Sequence, residues 1–309
     1  SLWGSDYNRR AFTSPSMEII VAEVNRNLPY MCGDSPNHLK IHVSEVDYII
    51  ENDYEWPELK SKAITQAEKK IAGFISEMVR DGDCLQIGYG GLADAIGENL
   101  IYAGRKDLGL HTEVMTTCVA NLMTHGVLNN SRKQIHRGKS VASQVTGDRS
   151  LWEFVHNNQD CDFMEMEYVN DLRTIVQNDN VLSINNALEI DLTGQAASEA
   201  IGPFQYSGTG GQLEWVIGAQ MSKGGRRILV LNSTFTDKQG VMHSKIRPTL
   251  PDGAVVTTPR TYVQYVATEY GVVDLSYKST RERAKALISI AHPDFRDELT
   301  FSAKKYGWL

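Results

Sequence analysis

Residues 84–115 constrain the fold more than any other part of the chain. A short apolar run at 84–87 leads into a glycine turn at Gly88, Gly90 and Gly91. A helix-like pattern follows from Leu92 to about Tyr102, then the segment AGRK, then a β-leaning run at 110–115. Strand, helix and strand within this length form a βαβ unit, and the two strands of such a unit lie parallel in one sheet.

The rest of the chain fits an α/β fold of open, mostly parallel sheets flanked by helices. Residues 8–16 are expected as a short helix broken by Pro15, and 17–24 (MEIIVAEV) as a buried strand of the parallel type. Residues 25–38 are loop, 39–50 suggest strand segments, and 51–57 (ENDYEWP) are the expected linker. Ile64, Ala67, Ile71, Phe74, Ile75 and Met78 have helical spacing within 58–79. Further helices are expected at 116–125, 151–157, 211–222 and 279–291, the third closed by a Lys-Gly-Gly cap signal. Strands are expected at 139–147, 175–177 (short or edge), 181–192, 227–232 and 253–258, with 261–267 either strand or short helix. No tandem repeat or low-complexity tract is visible.

With 309 residues the chain can bury a large core, as one large or two medium domains. A net charge of −7 argues against a general nucleic-acid or membrane surface, so an anionic ligand needs a local basic pocket. No apolar run reaches the roughly 20 residues of a membrane span. Cys32, Cys84, Cys118 and Cys161 have no metal-ligand or CxxC spacing, which predicts reduced thiols, a cytoplasmic setting and no metal site. The opening SLWGSDY has neither an initiator Met nor targeting character, and reads as a sequence entered partway through.

Glu113 is the one carboxylate in the segment LGLHTEV, and glycine turns lie on both sides of it: GYGG at 88–91 and SGTGG at 207–211. A glycine turn between strand and helix can present backbone N–H groups to negative charge, or can simply be a tight turn. A lone Glu at a strand end can be a solvated or salt-bridged carboxylate. It can also be a nucleophile, if partly desolvated and faced by fixed donors for a developing oxyanion. His111, two residues earlier, would share the face of Glu113 on a regular strand. A serine hydrolase is disfavoured, because no GxSxG elbow occurs. His125, His136 and His156 lack metal-ligand spacing. Lys223, Arg226, Arg227, Lys238, Lys245 and Arg247 follow the second turn, as a solvated face or as a site for a phosphorylated carrier.

These residues resemble the acetyl-CoA hydrolase/transferase family of class I CoA-transferases, closest to its 4-hydroxybutyrate and butyryl branch. The matching segments include HVSEVDYIIE, IGYGGLADAIG, LGLHTEV, INNALEIDLTGQAASEAIG, FQYSGTGGQLEWVIGAQMSKGG and ATEYGVVDL, in order over nearly the whole chain. The resemblance implies a two-domain architecture with the first domain truncated: residues 1–56 as its remnant and 57–309 as the C-terminal catalytic domain. It implies that Glu113 is the covalent nucleophile of a ping-pong exchange and that the N–H groups at Tyr89 and Gly211 form the oxyanion hole. Gly88, Gly90, Gly91, Asn170, Gly210, Lys238 and Glu269 fall at positions that touch or line the CoA site. CoA would be a substrate rather than a tightly bound cofactor, with a short-chain carboxylate as the other partner and a homo-oligomer as the assembly. An acyl-CoA hydrolase and a non-catalytic CoA-binding remnant are the alternatives. Two positions depart from the family pattern: Ala93 stands where a proline is common, and Tyr89 where a small aliphatic residue is.

Overall fold

Five parallel strands and one antiparallel edge strand form the sheet that carries the molecule. In spatial order they are Gly271–Asp274, Tyr265–Thr268, Arg226–Val230, Val181–Asn186, Cys84–Ile87 and Gly109–Leu110. Only Gly271–Asp274 runs antiparallel to its neighbour. The computed structural model describes residues 14–33, 40–59 and 63–309.

The expected βαβ unit is present: Cys84–Ile87, the helix Gly91–Tyr102 and Gly109–Leu110. Every residue of Cys84–Ile87 is buried, as a strand covered on both faces requires. From it the chain builds outward to Gly109–Leu110 on one side, while the later strands build out on the other. The strand order therefore reverses between Cys84–Ile87 and Val181–Asn186, and the carboxyl ends there border a crevice of the kind that binds ligands in open α/β sheets.

The helix Gln66–Met78 packs against Gly91–Tyr102. It begins at a capping box, with Thr65 and Glu68 satisfying each other's backbone N–H. Its Ile71 and Ile75 are 0% exposed, and burying each contributes roughly 2 kcal/mol. The helix Thr280–Ser289 starts at a second capping box, Ser279 with Glu282.

Several expectations need correction. The strand at 17–24 shortens to Val21–Val24 and pairs in parallel with Tyr48–Glu51, but it is not buried: Val21, Ile49 and Ile50 are each more than half exposed. Among the described residues these two strands have only each other in their sheet. Within 39–50, residues Val43–Glu45 form a single 3-10 turn. The short strand at 175–177 is instead the end of the helix Leu172–Ile175, begun by the Asp171 side chain accepting from the Arg173 N–H. Residues 253–258 form no strand. Ala254 N–H closes a turn onto Pro251, and Thr257 and Thr258 both donate to the Ala196 carbonyl. Residues 8–13 and 34–39 lie outside the described residues.

The segment before residue 60 is tied to the main core through its loop. Met31 and Cys32 are buried, Asn157 N–H donates to the Tyr30 carbonyl (2.7 Å), and Phe163 N–H donates to the Cys32 carbonyl (2.9 Å).

Candidate active site

The run at 110–115 is not one strand. Gly109–Leu110 belongs to the large sheet, while Val114–Met115 pairs with Gln144–Val145, and the chain bends at Glu113 between them. The bend is held firmly. The Glu113 carbonyl accepts from Ser143 N–H (3.0 Å), Gln144 N–H (3.1 Å) and the Ser143 hydroxyl (2.9 Å). One residue earlier, the fully buried Thr112 donates its hydroxyl to the Ile87 carbonyl (3.3 Å), which sets Glu113 beside the end of Cys84–Ile87. Glu113 itself is half-buried.

His111 does not reach Glu113 across a strand face, because the bend removes the period-two relation. It is 1% exposed, and its Nε2–H donates to the Val169 carbonyl (3.1 Å) while Nδ1 faces the Asn178 amide (3.5 Å). Burial, with Lys133 nearby, holds its pKa well below the ordinary value, so the ring is neutral. Its role is to fasten the end of the short helix Met166–Val169.

That helix ends at Asn170, whose Nδ2 donates to Glu113 Oε2 at 2.9 Å. Among the described residues Glu113 Oε1 takes part in no hydrogen bond. Gly211 closes the other side: a Cβ there would come within 2.5 Å of Glu113 Oε2 and closer still to Asn170 Nδ2. Gly211 is the N-cap of the helix Gln212–Met221, so the positive end of that helix lies against the carboxylate. The structure thus brings Glu113, Asn170 and Gly211 into contact, although they are spread over nearly a hundred residues of sequence.

The first glycine turn lies at the same edge of the sheet. Gly88 N–H donates to the Ile184 carbonyl, and Gly90, the N-cap of Gly91–Tyr102, has φ +118°, a conformation open to glycine. Tyr89 sits between them, its phenol pKa raised by partial burial and by the carboxylates of Asp94 and Asp148. Asn185 and Asn186 end the neighbouring strand at this point, Asn185 in a network with Gln86 and Ser183. Nothing in the sequence singled these asparagines out.

Glu269 and Lys238 stand apart from this cluster. Glu269 follows Tyr265–Thr268 at the same carboxyl edge, three strand spacings from Cys84–Ile87, or roughly 14 Å. Its carboxylate accepts from Ser233 N–H (2.9 Å) and the Ser233 hydroxyl (2.6 Å). Lys238 is exposed in the turn between Thr234–Thr236 and Met242–Ser244, and Gly210 is exposed just before Gly211. Among the described residues no group of three or more His, Cys, Asp or Glu could hold a metal, and no helix is long and apolar enough to cross a membrane.

An open α/β sheet thus carries a held carboxylate near two glycine-led helix starts. Comparison with known proteins gives the family. The model of the acetyl-CoA hydrolase/transferase C-terminal domain matches residues 147–303, which include Asn170, Gly210, Gly211, Lys238 and Glu269 but not Glu113. The chain is 46% identical over 286 residues to the succinyl-CoA:cyclohexane-1-carboxylate CoA transferase of Geobacter metallireducens, covering 93% of this chain and 63% of that protein. It is 42% identical over 301 residues to the 4-hydroxybutyrate coenzyme A transferase of Clostridium kluyveri, covering 97% and 68%. The crystal structure of RipA from Yersinia pestis superposes with a TM-score of 0.90 at 41% identity, over 99% of this chain and 67% of that one. The chain belongs to the acetyl-CoA hydrolase/transferase family. It spans about two thirds of the length of these relatives.

Proposed function

We propose that the protein is a CoA-transferase that exchanges CoA between a short-chain acyl-CoA (4-hydroxybutyryl-, butyryl- or acetyl-CoA) and a carboxylate acceptor such as acetate, with Glu113 as nucleophile. The observation that carries this is the state of the Glu113 carboxylate: Oε2 is held by Asn170 and walled by Gly211, while among the described residues Oε1 has no hydrogen-bond partner. A carboxylate fixed at one oxygen and free at the other is oriented for attack. The names of the relatives support the transferase over the hydrolase.

In this reading Oε1 attacks the thioester carbonyl, the C–S bond breaks, and an acyl-glutamyl anhydride forms with CoA thiolate released. The thiolate attacks the glutamyl carbonyl, the C–O bond breaks, the carboxylate product leaves, and Glu113 becomes a glutamyl-CoA thioester. The acceptor carboxylate runs both steps in reverse. One thioester is made for each one broken, so no ATP is needed. The N–H groups of Tyr89 and Gly211 serve the oxyanion that develops at each attack. Gly88, Gly90, Gly91, Gly210, Asn170, Lys238 and Glu269 line the path of CoA, which is a substrate and not a resident cofactor. Free buried cysteines support a cytoplasmic setting, and a homo-oligomer belongs to the same reading.

Intact-mass analysis after mixing with butyryl-CoA, with borohydride reduction and peptide mapping, tests the assignment. A CoA adduct or a reduced side chain is expected on the peptide containing Glu113, and neither in Glu113→Ala. Modification elsewhere in the chain would overturn it. Thiol release without any acceptor acid would make the enzyme a hydrolase.

A further inference from the structure

The Asn170 amide has two ends, and only one of them is useful to Glu113. Turned one way it offers Nδ2–H, a donor, to the carboxylate; turned the other way it offers Oδ1, which the carboxylate repels. The contact to Glu113 is therefore only as reliable as whatever fixes the amide's orientation.

The structure supplies that element one helical turn after Gly211. Trp215 Nε1–H donates to Asn170 Oδ1 at 3.0 Å. An indole N–H can only donate and an ionised carboxylate can only accept, so the two neighbours independently demand the same orientation of the amide. Trp215 is 1% exposed and packs with Val169, Ile175, Val181 and Ala219, so its ring has little freedom to follow a turning amide. The neutral His111 ring lies against it, with centroids 5.5 Å apart. His111 also anchors the Val169 carbonyl, the residue before Asn170.

We propose that Trp215 is a positioning residue: its indole N–H locks the Asn170 amide with the donor end towards Glu113. One helix then supplies both constraints on the nucleophile, the Gly211 backbone at its N-cap and the Trp215 side chain one turn on. The kinetic consequence rests on the transferase reading; the contact itself does not.

The test has two arms. The chain has five tryptophans, so its indole N–H signals form a small set in a 15N–1H spectrum, and Trp215→Phe identifies the one that belongs to Trp215. Asn170→Ala should shift that signal, while Asn170→Asp, which keeps an acceptor for the indole, should leave it bonded. An unmoved signal in Asn170→Ala overturns the proposal without reference to activity. The second arm is a double-mutant cycle on the single-turnover rate of glutamyl-CoA formation. Trp215→Phe is expected to slow it about tenfold. In the Asn170→Ala background the same change should alter the rate by less than about twofold, because the group it acts through is gone. If the two losses multiply, Trp215 acts by some other route and the proposal fails. A wild-type protein that forms no adduct would sink the transferase reading, and the indole signal would still decide the Trp215–Asn170 contact.

Discussion

The two glycine turns look alike in sequence and make different demands on glycine. At 88–91 the demand is conformational: Gly90 has φ +118°, yet a Cβ there would meet no atom within 4 Å. At 208–211 Gly210 repeats that demand with φ +60°, and Gly211 adds a spatial one. Gly211 has an ordinary φ of −96°, but a Cβ would run into Glu113 and Asn170. The first glycine shapes a backbone, and the second clears room beside a reacting carboxylate. A substitution at one should damage stability, and at the other chemistry.

The comparison can be broken most sharply at Gly211. Gly211→Ala can be accommodated by small shifts of two side-chain ends, so thermal stability should change by only a few degrees. The Glu113–Asn170 bond should not survive. A displacement of about 1 Å at a nucleophile can cost about 100-fold, and a loss of that order in CoA transfer is expected. Activity within a fewfold of wild type would show that the close approach has no catalytic meaning.

Gly90→Ala should do the opposite. Forcing an alanine into this region costs about 1–3 kcal/mol, read as a lowered denaturation midpoint with an unchanged slope. Activity per folded molecule should fall less than in Gly211→Ala. A stable but inactive Gly90→Ala would merge the two turns into one category.

How much of this was legible beforehand depends on the sequence distance over which each feature is set. The βαβ unit, both glycine turns and Glu113 are local patterns, and they are found where the sequence puts them. The bend at Glu113 was not legible, because it depends on donors from Ser143 and Gln144, thirty residues on. Trp215 is a buried core residue of its helix, and its bond to Asn170 joins positions 45 residues apart. The 175–177 run was too short for its period to separate strand from helix. Lys133 gave no signal at all. It lies in the polar stretch NNSRKQIHRGK, yet it is 4% exposed.

Lys133 sharpens the comparison from below the sheet edge. Its Nζ donates to the carbonyls of Leu110 (2.8 Å) and Lys139 (2.7 Å), bracing the strand that leads into Glu113. Burial pushes its pKa down from 10.5 to about 8. Between these values the unfolded chain binds the proton more tightly than the folded one, so this group's contribution to stability rises with pH from about 8 towards 10.5. The buried thiols act the other way. Cys84 is raised to about 11, and Cys118 and Cys161 to about 12, so they lower stability above their ordinary 9. Between roughly pH 7.5 and 9, wild type should gain about 1 kcal/mol relative to Lys133→Met in urea denaturation. A pH-independent difference would mean that the ammonium is not desolvated.

The smallest effect is expected farthest from both turns, at Lys238. Its hairpin turn is built without it. The Asp237 carboxylate accepts from the N–H groups of Gln239 and Val241 and pairs with His243 Nε2 at 2.7 Å, which leaves the lysine exposed and free of hydrogen bonds among the described residues. An exposed cation of this kind can attract a phosphate of CoA without influencing the reacting carbonyl. Lys238→Ala should therefore raise KM for acyl-CoA about threefold at low salt and leave kcat alone. The difference should fade as ionic strength approaches about 0.5 M, where the Debye length falls to roughly 4 Å. A change in kcat instead would place this hairpin over the acyl end of the substrate, beside the turn at Gly211. No change at low salt would return Lys238 to the solvated surface and leave the basic residues after the second turn without a ligand.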